Sequence, residues 1–338
     1  MNGEELLARA LAAAIAVALN AYALSGGADF GGGVWDLFAT KPRAREQRAL
    51  VGHAIGPIWE ANHVWLILVV VLLFTAFPPA FARLSIVLHI PLTLMLVGIV
   101  LRGSAFAFRS FDTGDEVQRR WGRLFAVASL VTPFVLGVCV GAIVSGEVRD
   151  VAGRSFVDAF VLPWLDLFPM LVGALAVVLF AFLAAVYLTL EAPDDALRED
   201  FRKRAIISEL ALFVVAIAVL VVGRRSAPRL AFALTEGALA IAVHAATALS
   251  AMTALTALFA RRFRVARAAA VAQVSAMIWG WVIAQQPYLV PPDLTITDVA
   301  APPATLRLVL GALLLGMIVL IPSLRYLFRV FKGAQLGQ

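Results

Sequence analysis

Nine stretches of this chain are apolar over about twenty residues each, the length a helix needs to cross about 30 Å of hydrocarbon. They lie near 5–25, 54–78, 81–101, 122–145, 160–190, 204–223, 232–260, 266–286 and 305–330. Within hydrocarbon a backbone must satisfy its own N–H and C=O groups, so runs of this length are helices. The sequence therefore predicts an all-α integral membrane protein of about nine spans. A composition of 62% apolar and only 15% charged residues agrees, with a mean hydropathy of +0.91. The fifth run includes a short interfacial approach around Pro163–Trp164. The seventh is long for a straight span, which implies tilt or an extension beyond the bilayer.

Charge sets the orientation. With alternate loops assigned to opposite sides, 20 of the 28 Lys and Arg residues fall on one side, together with the C-terminus. That side is cytoplasmic by the positive-inside rule, so the N-terminus is outside and the C-terminus inside. Arg224, Arg225 and Arg229 fall on the outer side against the trend, as candidate contacts to lipid phosphate or a partner subunit. The net charge of +6 comes from arginines in short loops rather than from a basic face with interleaved aromatics, so nucleic acid is not an expected partner. Glu4 and Glu5 precede the first run where a signal peptide would carry positive charge, so Leu6 to Leu24 reads as a retained helix. No loop is long enough for a soluble domain, and residues 1–338 read as one polytopic unit. The outer loop Pro287 to Pro303 holds Asp293, Asp298 and five prolines, and is expected to be ordered irregular structure. Pro91, Pro133, Pro169 and Pro322 lie inside predicted helices, where proline kinks the backbone.

Polar residues inside apolar runs carry the functional argument, because a charge in the bilayer is costly. The decapeptide GPIWEANHVW, Gly56 to Trp65, opens the second span with Glu60 and His63 at i, i+3, close enough on a helix to touch. Trp59 shares their side, and Asn62 and Trp65 form the neighbouring stripe. The bland alternative is a buried Glu–His pair joining two helices. The segment Gly26 to Gly33, GGADFGGG, reads as a tight re-entry after the first span, with Asp29 capping a short interfacial helix from Val34 to Ala39. With no preceding strand, a phosphate-binding loop is excluded there. Arg102 and Arg109 end the third span at the cytoplasmic boundary, as snorkelling anchors or as contacts to an anion or a partner. Glu191 to Arg204 reads as a solvated loop, and Gln285 to Tyr288 as a polar end to the eighth span.

Of the four histidines, His53, His63, His89 and His244, the last two are candidate haem ligands by placement. A lone helical histidine is more commonly a hydrogen-bonded core residue. Asp166, Glu209 and Glu236 are further acids at or near membrane depth that relay protons or simply cap and pair. The single Cys139 reads as a small core residue, and no Cys-based metal site is expected.

Several of these segments, in this order along almost the whole chain, resemble the second subunit of cytochrome bd quinol oxidases. GPIWEANHVW is similar to that family's Gly-Pro-x-Trp-Asp/Glu-x-Asn-x-Val-Trp signature, and GGADFGGG to its Gly-Phe-Asp-Leu-Gly segment. Leu101-Arg102-Gly103 with Ala105 to Arg109 resembles its Arg-Gly…Phe-Glu-Phe-Arg element. Gln286-Pro287-Tyr288, Pro291, Leu294-Thr295, Thr305-Leu306 and Phe331-Lys332-Gly333 follow its last loop and helix. The resemblance implies two four-helix bundles, about 1–145 and within about 156–333, plus one peripheral helix. It implies a haem-bearing first subunit carrying b- and d-type haems, a small single-helix accessory chain, membrane lipid, and quinol as substrate of a complex in the bacterial cytoplasmic membrane. The second subunit in that family lacks haem ligands and supports proton and oxygen access. Glu60 takes the acidic position of cytoplasmic proton uptake, with His63 and Asp29 on the same route, while Trp59, Asn62 and Trp65 wall the site and a nearby oxygen route. The chain departs from the family at His63, where an acid is common, at Ala107 in place of a glutamate, and at Gly26 in place of an aspartate.

Three readings follow. The first is the second, haem-free subunit of a quinol oxidase that reduces oxygen to water, with no metal site of its own. The second is a stand-alone proton-coupled transporter, supported by intramembrane acids and proline-broken helices. The third has this chain bind haem itself through His89 or His244.

Overall fold

The structure, a computed structural model, describes residues 3–56, 59–111 and 114–332. Its order is α1 (Gly3–Leu37), α2 (Ala44–Ile55), α3 (Trp59–Ala76), α4 (Pro78–Val87), α5 (His89–Phe111), α6 (Asp115–Ser145) and α7 (Phe156–Phe160). Then come α8 (Leu167–Glu191), α9 (Asp195–Ser226), α10 (Pro228–Thr235), α11 (Gly237–Phe259), α12 (Phe263–Gln285), the strands β1 (Tyr288–Val290) and β2 (Leu294–Thr295), and α13 (Pro303–Lys332). Among the described residues eight helices are long and apolar enough to cross a membrane, and α2 with α3, bent by 55°, counts as a ninth when the pair is taken as one span. The chain is a multi-pass, all-α membrane protein, as its hydropathy predicts.

Local chemistry sets most element ends. Prolines at the first helical positions open α4 and α10, where the missing N–H leaves nothing unpaired. The Asp194 side chain accepts from Leu197 N (2.8 Å) at the start of α9, and Ser155 does the same for Asp158 N at α7. Gly146, at φ +77°, closes α6 in the left-handed conformation that glycine adopts freely. Of the four helical prolines, only Pro133 and Pro322 are interior; Pro91 and Pro169 sit in the first turns of α5 and α8, where proline interrupts no backbone bond.

Four expectations need correction. The glycine-rich segment is no re-entry: α1 runs straight through it to Leu37, and Asp29 is buried in mid-helix. The seventh run is no tilted long helix, because Glu236 leaves helical geometry and Gly237 turns at φ +89°, splitting it into α10 and α11. Glu191 to Arg204 is mostly the first turns of α9 rather than a loop, held by i, i+3 pairs such as Arg202–Glu199. The loop from Pro287 to Pro303 contains a small antiparallel hairpin that pairs Tyr288 with Thr295.

That hairpin is pinned from several sides. Ala301 N donates to Ala76 O (2.8 Å), and Arg83 reaches Asp293 at 3.3 Å and Asp150 at 3.8 Å. The N–H of Ala152 and the Arg83 guanidinium hold the Asp150 carboxyl below the usual range. Arg229, one of the three arginines against the charge trend, stacks 5.0 Å from the Tyr288 ring centroid and so belongs to the same assembly as the hairpin.

Helix α1 is the hub. It packs against α3, α6 and α8, while α5 packs on α6, α8 on α9, and α11 on α12. Glycine makes the closest approaches possible. A Cβ on Gly31 would stand 1.9 Å from the backbone oxygen of Phe180 in α8, and one on Gly33 would stand 2.1 Å from Ser129 Oγ in α6. Trp35 Nε1 donates to Ala181 O (2.7 Å), fixing the same α1–α8 seam. In a bilayer, where apolar surface gains little by leaving lipid, such small-residue contacts do the work of a hydrophobic core. Helix α13 lies at the periphery, with only 6% of its apolar window buried.

Candidate functional site

Four helices each deliver one polar side chain to the same buried spot: Asp29 from α1, Asn62 from α3, Arg102 from α5 and Ser129 from α6. Asn62 Nδ2 donates to Asp29 Oδ2 at 2.6 Å, and Arg102 Nε donates to Ser129 Oγ at 3.2 Å. The Arg102 guanidinium lies between two rings, 4.6 Å from the Phe30 centroid and 5.3 Å from that of Phe125. Asp29 is the acid that shares this buried layer with Arg102. Removing one of two opposite charges that share a buried site typically costs about 3–5 kcal/mol. The glycines at 98 and 33 leave room for this polar layer: a Cβ on Gly98 would fall 2.3 Å from Thr132 Oγ1. Thr132 Oγ1 and Arg102 Nη2 are buried with no hydrogen-bond partner among the described residues. Buried polar atoms left in this state are uncommon in folded proteins.

The cluster extends in both directions along α1. Tyr22, Asp29 and Asp36 recur every seven residues, so two helical turns, about 10.5 Å, separate each from the next. Asp36, buried at the basic end, accepts from Arg109 Nη1 at 2.9 Å and lies 3.8 Å from Arg48 Nε. Next to it, Arg43 and Gln47 bind Asp200 of α9 at 2.9 and 2.7 Å, joining the α1–α2 turn to the second half of the chain. At the other end Tyr22 borders an apolar cavity of about 320 Å³ between α1, α6, α8 and α9–α12.

The candidate residues separate into those the site gathers and those it does not. Asp29, Asn62 and Arg102 lie together, and the His63 ring is 6.1 Å from both Tyr22 and Phe30. Arg102 is therefore no snorkelling anchor but the buried centre of the cluster, whereas Arg109 is half-buried and pairs with Asp36. Glu60 is exposed on α3 and makes no hydrogen bond or ion pair among the described residues, so the Glu60–His63 contact expected from spacing is not formed. Trp65 packs where the two largest apolar clusters meet. The side chain of Trp59 lies outside the described residues, as do Pro57, Ile58 and Gly333 of the two quoted motifs. His89 donates to Ile86 O (2.9 Å) and stacks edge-on against Phe160, while His244 donates to Leu234 O (2.6 Å) at the cavity wall. His244 offers a nitrogen there, but the wall carries no Lys or Arg to take haem propionates, so the cavity suits haem poorly. Sequence reasoning missed Tyr22, Asp36, Ser129 and Thr132. The seven-residue recurrence of Tyr22, Asp29 and Asp36 would have found the first two.

The model of one protein family, cytochrome bd terminal oxidase subunit II, matches residues 7–331. Cytochrome bd ubiquinol oxidase subunit 2 of Bacillus subtilis is 31% identical over 201 residues, 60% of this chain and 57% of that protein. Cytochrome bd-I ubiquinol oxidase subunit 2 of Escherichia coli is 27% identical over 52% of this chain and 46% of its own. The chain thus spans about half the length of these curated relatives. A putative cytochrome bd menaquinol oxidase subunit II of Bacillus subtilis aligns over 92% of the chain and 91% of its own, at 23% identity. The bd oxidase structure from Geobacillus thermodenitrificans has the same fold, with a TM-score of 0.78 over 96% of this chain and 98% of that one, at 23% identity.

Proposed function

This chain belongs to the cytochrome bd terminal oxidase subunit II family, and we propose that it serves as the haem-free second subunit of a quinol oxidase, carrying protons from the cytoplasm toward a haem-bearing partner. The partner supplies the b- and d-type haems, and the complex oxidises quinol and reduces oxygen to water. A small single-helix chain completes the assembly in the bacterial cytoplasmic membrane, with the N-terminus of the present chain outside and its C-terminus inside. The chain packs as a first bundle to about residue 145, a second from about residue 156, and one peripheral helix.

The buried cluster of Asp29, Asn62, Arg102 and Ser129, with Asp36 two turns nearer the basic end, is the observation that carries this reading. A carboxylate accepts a proton at Asp36, where Arg109 and Arg48 draw water and charge to the bilayer edge. The next acceptor, Asp29, lies about 10.5 Å further along the same helix, a gap that hydrogen-bonded water bridges. Asn62 orients the Asp29 carboxylate, and Arg102 fixes the Ser129 hydroxyl in the same layer. Glu60, at the exposed start of α3, is the lateral entry, with His63 as its inward neighbour. Oxygen enters through the apolar packing around Trp59, Asn62 and Trp65. Family membership favours this reading over a stand-alone transporter.

The test uses the intact oxidase reconstituted in vesicles, comparing wild type with D29N and E60Q. Quinol-driven oxygen consumption and proton uptake from the cytoplasmic face fall in D29N, most at alkaline pH, with the haem spectrum unchanged. E60Q falls less. Wild-type proton uptake in D29N with a normal haem complement sinks the proposal.

A further inference from the structure

At the basic end of the molecule, away from the Asp29 cluster, four arginines surround a cavity of about 340 Å³: Arg198 of α9, Arg261 and Arg262 in the α11–α12 turn, and Arg264 of α12. Among the described residues no acid lines the wall, although Asp195 pairs with Arg198 and Glu199 with Arg261 just outside it. Two of the four are already committed. Arg198 closes the end of α8 by donating to Thr189 O and Ala192 O at 3.2 and 3.1 Å, and Arg261 reaches Glu199 at 3.3 Å. The side chains of Arg262 and Arg264 are exposed and make no hydrogen bond or ion pair among the described residues.

The turn is built to hold these side chains. Helix α11 ends with Arg262 N donating to Ala257 O and Arg261 N to Leu258 O, the double closure in which glycine normally occupies the left-handed position. Here Arg261 occupies it, at φ +57°, although a side chain in that conformation costs free energy that glycine avoids. The N-terminus of α12 has no side-chain cap, and Phe263 to Val265, whose N–H groups precede the first i→i−4 bond (Ala266 N to Arg262 O), line the same cavity. Val265, 45% exposed, is an apolar member of the lining, and Phe259, two residues before Arg261 at the end of α11, is 64% exposed.

We propose that this cavity binds a phosphate-bearing headgroup of an anionic membrane lipid, with the acyl chains lying along Phe259 and Val265. Unpaired guanidinium groups at a bilayer edge favour a phosphodiester, and basic hollows between helices on the cytoplasmic side are suited to such headgroups. The exposed apolar flank favours a lipid over free phosphate, which has no use for it.

The test is native mass spectrometry of the intact oxidase complex in mild detergent, titrated with dioleoylphosphatidylglycerol or dioleoylphosphatidylcholine, for wild type and R262A/R264A. Both positions are exposed, so the variant folds. At about 1 kcal/mol per arginine near a charged surface, the first phosphatidylglycerol binds roughly 30-fold more weakly to the variant. Phosphatidylcholine binding does not change between the two. In a second arm, inorganic phosphate is added alone and the thermal transition is followed. A phosphate-induced rise that the variant loses, with equal phosphatidylglycerol affinity in both proteins, overturns the lipid assignment in favour of a free anion. Equal lipid affinity and equal phosphate response overturn the site altogether.

Discussion

The charge pair at the centre of the site makes a quantitative prediction. D29N preserves an oxygen that accepts from Asn62 Nδ2, so it removes charge and little else. Arg102, among the largest fully buried side chains, is then left with the Ser129 hydroxyl and the Phe30 and Phe125 rings as its neighbours. The cost expected is that of an unpaired buried charge, about 3–5 kcal/mol. R102M strands the Asp29 carboxylate instead and also frees Ser129 Oγ, with a similar cost. The double variant D29N/R102M buries neither charge, and replacing both members of a buried pair is often close to neutral. It should therefore recover roughly 3 kcal/mol or more relative to the sum of the single changes. The assay is equilibrium unfolding of the complex with increasing sodium dodecyl sulfate in mixed micelles, followed by tryptophan fluorescence. Additive losses in the double variant would refute the claim that the two charges sustain each other. Proton uptake should stay low in all three variants, which separates stability from transport.

Further outcomes follow from the packing. G31A drives a methyl group into the Phe180 carbonyl, a backbone atom that cannot rotate away, so α1 and α8 part and the yield of assembled complex falls sharply; G52A, with open space around its Cβ, raises α2 stability by up to about 1 kcal/mol. N62L leaves the Asp29 carboxylate short of a buried donor and costs about 1–3 kcal/mol, read from the same unfolding curves. Asp150 has a depressed pKa, so its contribution to holding the hairpin is fully present above the ordinary aspartate value near 4 and is lost as pH falls through its lower folded value. Hydrogen exchange at residues 288–295, corrected for intrinsic rate, should accelerate across that acidic window in wild type and show no such transition in D150N.

Hydropathy alone pointed to a membrane protein of eight or nine spans, because the demand for backbone satisfaction in lipid leaves little choice of structure. It failed at GGADFGGG for a related reason. Glycine breaks helices in water, where the freed backbone gains solvent; in a bilayer it instead lets another helix approach, as Phe180 does at Gly31. With that segment read as a turn, Asp29 looked like a cap and Arg102 like an anchor, although each completes the other's environment. A helical wheel places Glu60 near His63, but it does not say which face meets α1, and in the fold it is Asn62 that points inward. Ser129 and Thr132 gave no signal at all: small hydroxyls in an apolar helix are common and acquire meaning only from Arg102 and Gly98 opposite them. By contrast, the break before α11 was legible in the sequence Thr235-Glu236-Gly237, and the long apolar run on either side masked it.

The seam between α1 and α8 has a consequence for how the protein is made. Trp35 must wait for Ala181, which is synthesised 146 residues later, and Asp29 waits 33 residues for Asn62. At about 5–20 residues per second, the ribosome leaves the glycine-lined face of α1 without its main partner for roughly 7–30 s. During that interval the helix carries Asp29 and a row of glycines into the membrane as a poor span in its own right. Biogenesis therefore calls for the insertion machinery to shelter the first helix until α8 emerges, and an insertion defect should strike this helix before any other.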